Sequence, residues 1–121
     1  MSASKGCVIT LTKFGKDADE VAVPLVLANT AQVSGEEVLL WLTMEGVKLV
    51  KPGEAETLKP ISFSPVTELM KEFVGNGGRI GVCPPCAKTH GVTKENMIAN
   101  SEFMGAAALL SQSKGCRSFF F

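Results

Sequence analysis

Thirteen consecutive residues, Arg79-Ile80-Gly81-Val82-Cys83-Pro84-Pro85-Cys86-Ala87-Lys88-Thr89-His90-Gly91, hold most of the chain's capacity for chemistry. They read as a short buried strand that carries Cys83 to its carboxyl end, followed by Cys86, Lys88 and the sole histidine, His90. A cysteine where a strand turns into a helix lies near free backbone N–H groups and the positive end of the helix dipole. Both favour the thiolate, the reactive form of the side chain. Pro84 and Pro85 suit such a turn, because the first helical positions need no amide donor. Lys88 and His90 are candidates to tune charge beside the thiols.

The Cys83-Pro84-Pro85-Cys86 spacing admits three reactions. Thiol–disulfide exchange would use Cys83 and Cys86 together. Thioredoxin-like chains, however, carry this motif early and a cis-proline well downstream, whereas here it lies in the last third and no proline comes after Pro85. Zinc would take Cys83, Cys86 and His90, with a fourth ligand from Cys7, Cys116 or a carboxylate. No second close cysteine pair supplies it. Sulfur transfer would load Cys83 as a persulfide and hand it on by thiolate attack, with Cys86 as an auxiliary thiol that resolves or protects it. This third chemistry needs one accessible thiol and no cofactor. Against all three stands a buried cysteine acting as a small hydrophobe, the natural reading for Cys7.

The elements that must position Cys83 alternate in type. Gly6–Thr12 and Glu37–Thr43 are apolar runs expected of strands covered on both faces. Ala22–Val33 is a helix with Leu25, Ala28 and Ala31 on one side, Pro24 near its start and Ser34-Gly35 at its end. Met44–Val50 fits helix or strand equally. Lys51–Phe63, with Pro52, Gly53 and Pro60, is a long surface connection of the kind that forms a lid or contact loop. Ser64 and Pro65 start a second helix, in which Val66, Leu69, Met70 and Phe73 share a face. After the Cys83 strand, Thr93 is expected to cap a short helix reaching Asn100. Gly105–Ser113 is a small-residue helix, and Cys116–Phe121 a last strand too apolar to leave in water. Strands alternating with helices imply an α/β fold with a mainly parallel sheet and helices on both faces. Reactive groups in such sheets sit beyond the carboxyl strand ends.

The totals narrow the class. The 121 residues are expected to form a single domain over 1–121. Twelve basic residues balance twelve acidic ones, which argues against nucleic acid held by a broad positive field. No apolar run approaches the ~20 residues of a membrane span. No signal peptide is visible, so a cytoplasmic address is expected. There, four cysteines point to redox, sulfur or metal chemistry.

The segment Trp41-Leu42-Thr43-Met44-Glu45-Gly46-Val47 resembles the strand–turn "F-x-T-x-[DE]-G-V" element of the DsrE/DsrF-like (YchN-like) family of small sulfur-relay proteins. Gly81–Ala87, Gly91-Val92 and the Asn100–Ala106 stretch are similar to that family's cysteine-bearing strand and the helices after it. The resemblance implies a three-layer α/β/α sandwich around a roughly five-stranded, mainly parallel sheet. It further implies assembly into a homo-oligomer (dimer, trimer or hexamer) and sulfur donor and acceptor proteins or small thiols as partners. It maps the acting cysteine onto Cys83 alone, with Cys86 shared by some relatives only. The reading is a sulfur carrier or sulfurtransferase-like protein. The alternatives are a thiol–disulfide oxidoreductase using Cys83 and Cys86, and a non-enzymatic oligomeric binding module.

Overall fold

The computed structural model describes residues 6–121. Five strands and four α-helices run in the order β1 (Cys7–Leu11), α1 (Asp19–Val33), β2 (Val38–Leu42), α2 (Val66–Gly75), β3 (Arg79–Val82), α3 (Pro84–Thr89), β4 (Ser101–Phe103), α4 (Ala106–Gln112) and β5 (Arg117–Phe120). All neighbouring strands pair in parallel, in the spatial order β4-β3-β2-β1-β5. The architecture is the expected three-layer α/β sandwich.

Handedness explains where each helix lies. From β1 to β4 the chain steps one place at a time in one direction, and right-handed crossovers put those connections on one face. There the buried face of α1 (Val21, Leu25, Ala28) and that of α2 (Val66, Leu69, Met70, Phe73) meet Ile9, Leu11, Leu40, Leu42, Ile80 and Val82. The last connection runs back across the whole sheet to β5, so it must cross the other face. Along it, Ala108 and Leu109 of α4 pack on Val8, Leu39, Trp41 and Met104. Two amides tie α1 to α2: Asn29 donates to the Leu69 carbonyl at 3.2 Å and Gln32 to that of Phe73 at 3.0 Å.

Several expectations need correction. Helix α1 starts three residues before Ala22, so Pro24 stands in its second turn. The carbonyl that Pro24 deprives of a donor belongs to solvent-exposed Glu20. Met44–Val50 settles as a 3-10 helix. Pro65, not Ser64, is the N-cap of α2, and no side chain caps it. Residues 93–100 form turns and no helix. Thr93 and Asn96 bond reciprocally at 2.8 and 3.1 Å, as in a capping box. The Asn96 amide, however, also holds the Gly91 carbonyl, and Ile98 N–H is taken by Val50. The chain then enters β4, a strand that the residue pattern does not announce. The last strand is less sheltered than its composition suggests: Phe120 is 73% exposed.

Candidate functional site

Cys83 comes directly after β3 and is the N-cap of α3, with Pro84 and Pro85 in the first two helical positions. Its backbone is held from the β2 side, where its N–H donates to the Leu42 carbonyl at 2.9 Å. On the other side Met104 N–H donates to the Val82 carbonyl at 2.8 Å. The connections leaving β3 and β4 diverge here, α3 to one face and α4 to the other. That divergence is a topological switch point, the crevice where open α/β sheets bind or react. Gly81 lets Met104 and Trp41 pack close over β3, since a Cβ there would stand 3.0 Å from Met104 and 3.2 Å from Trp41. Trp41 in turn donates its indole N–H to the Met104 carbonyl at 2.8 Å.

Cys83 and Cys86 are both half-buried and both free. As N-cap and third helical residue, their side chains approach each other across one turn, the relation that a capping box exploits. The Cys86 sulfur lies 3.4 Å from the Thr43 hydroxyl. That hydroxyl, together with the Met44 backbone N–H and the Cys83 thiol, pulls the Cys86 thiol below its ordinary value, against an opposing push from burial. Hydrogen bonds to the charged form have this effect on any acid. The Thr43-Met44 turn is shaped for the purpose. Met44 takes a left-handed conformation, with φ 54°, uncommon for a side-chain-bearing residue. Gly46 behind it sits so close to β1 that a Cβ would be 2.2 Å from the Leu11 carbonyl oxygen.

Polar side chains pair between the turn after β2 and the end of α3. His90 Nε2 stands 3.4 Å from a Glu45 carboxylate oxygen, and Lys48 Nζ 2.7 Å from the other. The Lys48 hydrogen bond, and less strongly the charge of His90, hold the Glu45 carboxyl below the usual range. Lys51 Nζ approaches the His90 carbonyl at 3.5 Å. Lys88 is exposed on the last turn of α3.

The structure thus brings Cys83 and Cys86 together and pairs His90, one helical turn after Cys86, with Glu45. Thr43, Met44 and Glu45 belong to the site as well, and spacing alone does not mark them as such. Their only signal is the Thr43–Val47 pattern, which identifies a turn without saying what the turn holds. Among the described residues, no group of three or more His, Cys, Asp or Glu side chains is placed to hold a metal ion. Cys7 is core, 2% exposed, and burial with the charge of Glu36 pushes its thiol up. Cys116 is half-buried against the opposite face. A hollow of about 470 Å3 at the amino edge, lined by Cys7, Glu37, Arg79, Lys114 and Cys116 among others, is remote from this chemistry. The dithiol itself is flanked by the exposed Pro84, Pro85 and Lys88.

A half-buried dithiol at the switch point of a five-stranded parallel sheet defines a small α/β protein with its thiols at the carboxyl edge. The chain belongs to the DsrE/DsrF-like family, whose model matches residues 7–119. An uncharacterised protein of Methanopyrus kandleri is 32% identical over 95 residues, covering 78% of this chain and 74% of its own. Another, of Methanocaldococcus jannaschii, is 30% identical over 95 residues, 78% of each chain. The crystal structure of the YchN protein of E. coli superposes with a TM-score of 0.79 at 16% identity, over 97% of this chain and 99% of that one. A protein of unknown function from Methanobacterium thermoautotrophicum gives a TM-score of 0.65 at 14% identity, over 97% and 99%. Both share the fold. No helix among the described residues is long and apolar enough to cross a membrane.

Proposed function

We propose that this protein is a small cytoplasmic sulfur carrier, with sulfurtransferase-like activity, that accepts and donates sulfane sulfur as a persulfide on Cys83. The observation that carries the reading is the position of Cys83 beyond the end of β3, half-buried beside the exposed Pro84 and Pro85 and adjoined by a second thiol. A persulfide must be reached by the thiol of a donor and then by that of an acceptor, which a half-exposed position permits and a sealed one would not. Membership of a family related to sulfur relay supports the same conclusion. Cys86 is the auxiliary thiol, and Lys88 and His90 tune the charge near the two thiols. Donor and acceptor are proteins or small thiols bearing sulfane sulfur, and no cofactor is required.

The carrier works as a homo-oligomer. Support comes from the β5–α4 face, where Phe120 is 73% and Leu110 70% exposed. Such an apolar surface is one that a second copy would cover.

Intact mass after incubation of the reduced protein with a sulfane-sulfur donor tests the reading. Gain of one sulfur, about 32 Da, by the freshly loaded wild type and no gain by Cys83→Ala is expected. Wild-type protein that neither gains this mass nor releases hydrosulfide would sink the proposal. Insulin reduction that requires both Cys83 and Cys86 would favour thiol–disulfide exchange in its place. A protein silent in both assays would be a binding module.

A further inference from the structure

We infer that Cys86 discharges the Cys83 persulfide when no acceptor takes it, releasing the sulfur as hydrosulfide and closing a Cys83–Cys86 disulfide, with Thr43 as the positioning residue. This rests on the carrier reading, since it needs a persulfide on Cys83, and it adds what limits that persulfide's lifetime.

The geometry separates the two thiols by role. Cys86 packs against the core on the first helical turn and faces the Thr43 hydroxyl at 3.4 Å, with Met44 N–H also directed at it. Cys83 makes no capping hydrogen bond with its side chain. With Cys86 ionised, Thr43 can only donate to it, so one residue of the turn after β2 both stabilises the thiolate and aims it across the helical turn toward Cys83. The left-handed Met44 and the tight Gly46 approach hold that turn in place. Nothing comparable faces Cys7, which is sealed in the core.

The step balances without an external oxidant. A donor persulfide first gives its outer sulfur to the Cys83 thiolate, and the donor leaves as a thiolate. An acceptor thiolate arriving from outside attacks the outer sulfur and carries it away. Cys86, held against Thr43, attacks the sulfur of Cys83 itself. The Cys86–Cys83 bond forms, the sulfur–sulfur bond of the persulfide breaks, and the electron pair leaves with the outer sulfur and its proton as HS⁻. The sulfane sulfur is reduced by two electrons, and the two cysteines supply them by becoming a disulfide. A dithiol reductant then restores both thiols.

The experiment loads the reduced protein with glutathione persulfide, removes excess donor, and tracks intact mass and trapped hydrosulfide with no reductant present. In the wild type the adduct of about 32 Da should decay into a species about 2 Da lighter than the reduced protein, with one hydrosulfide per chain. Cys86→Ser should keep the adduct. Thr43→Val should slow the decay about tenfold, the worth of one hydrogen bond to a charged group, and Thr43→Ser should restore it. A wild-type adduct as lasting as that of Cys86→Ser overturns this inference and leaves the carrier standing. Cys86→Ser protein that folds but never loads overturns the carrier itself. Decay unchanged in Thr43→Val removes Thr43 from the scheme.

Discussion

The Thr43 hydroxyl and the Cys86 sulfur meet at 3.4 Å although 43 residues separate them in the chain. One belongs to the turn after β2, the other to the first turn after β3, and parallel pairing of those strands is what makes them neighbours. A contact of this kind ties the chemistry of the dithiol to the register of the sheet.

That contact should be visible in the pH dependence of stability. Cys86 titrates below its unfolded value. Its stabilising contribution is therefore present above the unfolded thiol pKa and is lost as pH falls through the folded value. The urea midpoint of Thr43→Val should lag the wild type more at about pH 9 than at about pH 6, on either side of an ordinary thiol. An equal lag at both would show that the hydroxyl merely packs.

Thiol labelling should rank the cysteines by environment. With iodoacetamide at neutral pH the native protein should be alkylated at Cys86 well before Cys7. Cys7 is 2% exposed, and burial pushes its thiol up. It should react only once denaturant opens the core. Peptide mass mapping over time distinguishes the two, and early modification of Cys7 would contradict the packing of β1.

Gly46→Ala tests the turn that carries Thr43. The new methyl would fall 2.2 Å from the Leu11 carbonyl oxygen and 2.9 Å from its carbon, both backbone atoms that cannot swing aside. A loss of about 3 kcal/mol in urea unfolding is expected, at the upper end of overpacking costs. Labelling of Cys86 should slow in the same variant, because the strain displaces Thr43 and Met44.

Phe120→Asp addresses assembly. Phe120 sits on β5 and is 73% exposed. The substitution should leave the unfolding midpoint of a single chain nearly unchanged. Light scattering should show the wild type as an oligomer and the variant as a smaller species. A wild type that is monomeric at about 0.1 mM, well above the micromolar range of modest interfaces, would refute a role for this face in self-association.

The parts of this fold legible in the residues are those with a strong period. Val66, Leu69, Met70 and Phe73 are all buried on one face of α2, as their spacing requires. The unbroken apolar runs around Ile9 and Leu40 do mark strands covered on both sides. β4 is invisible in the pattern because three residues, Ser-Glu-Phe, are too few for a period. An edge strand with one paired side also tolerates a charge such as Glu102. The turns at 93–100 mislead because Thr93 and Asn96 satisfy a helix-start pattern locally while Val50 captures the Ile98 N–H. At the site, Cys83 and Cys86 are conspicuous by type and spacing. Thr43 is not, since its role exists only once β2 and β3 lie side by side.

The placement of β5 beside β1 has a consequence for how the molecule is made. Thr12 N–H and the Thr12 hydroxyl both bond the Phe121 carbonyl at 2.8 Å, and Phe121 N–H returns a bond to Thr10 at 2.8 Å. During synthesis β1 therefore waits, with one side of its ladder bare, until the segment around Phe121 has emerged from the ribosome. In that interval a neighbouring nascent chain offers the same Arg-Ser-Phe-Phe segment, and swapping it between copies would satisfy identical bonds. Crowded synthesis should favour such exchange, whereas a slow, dilute refolding would let each chain finish its own sheet.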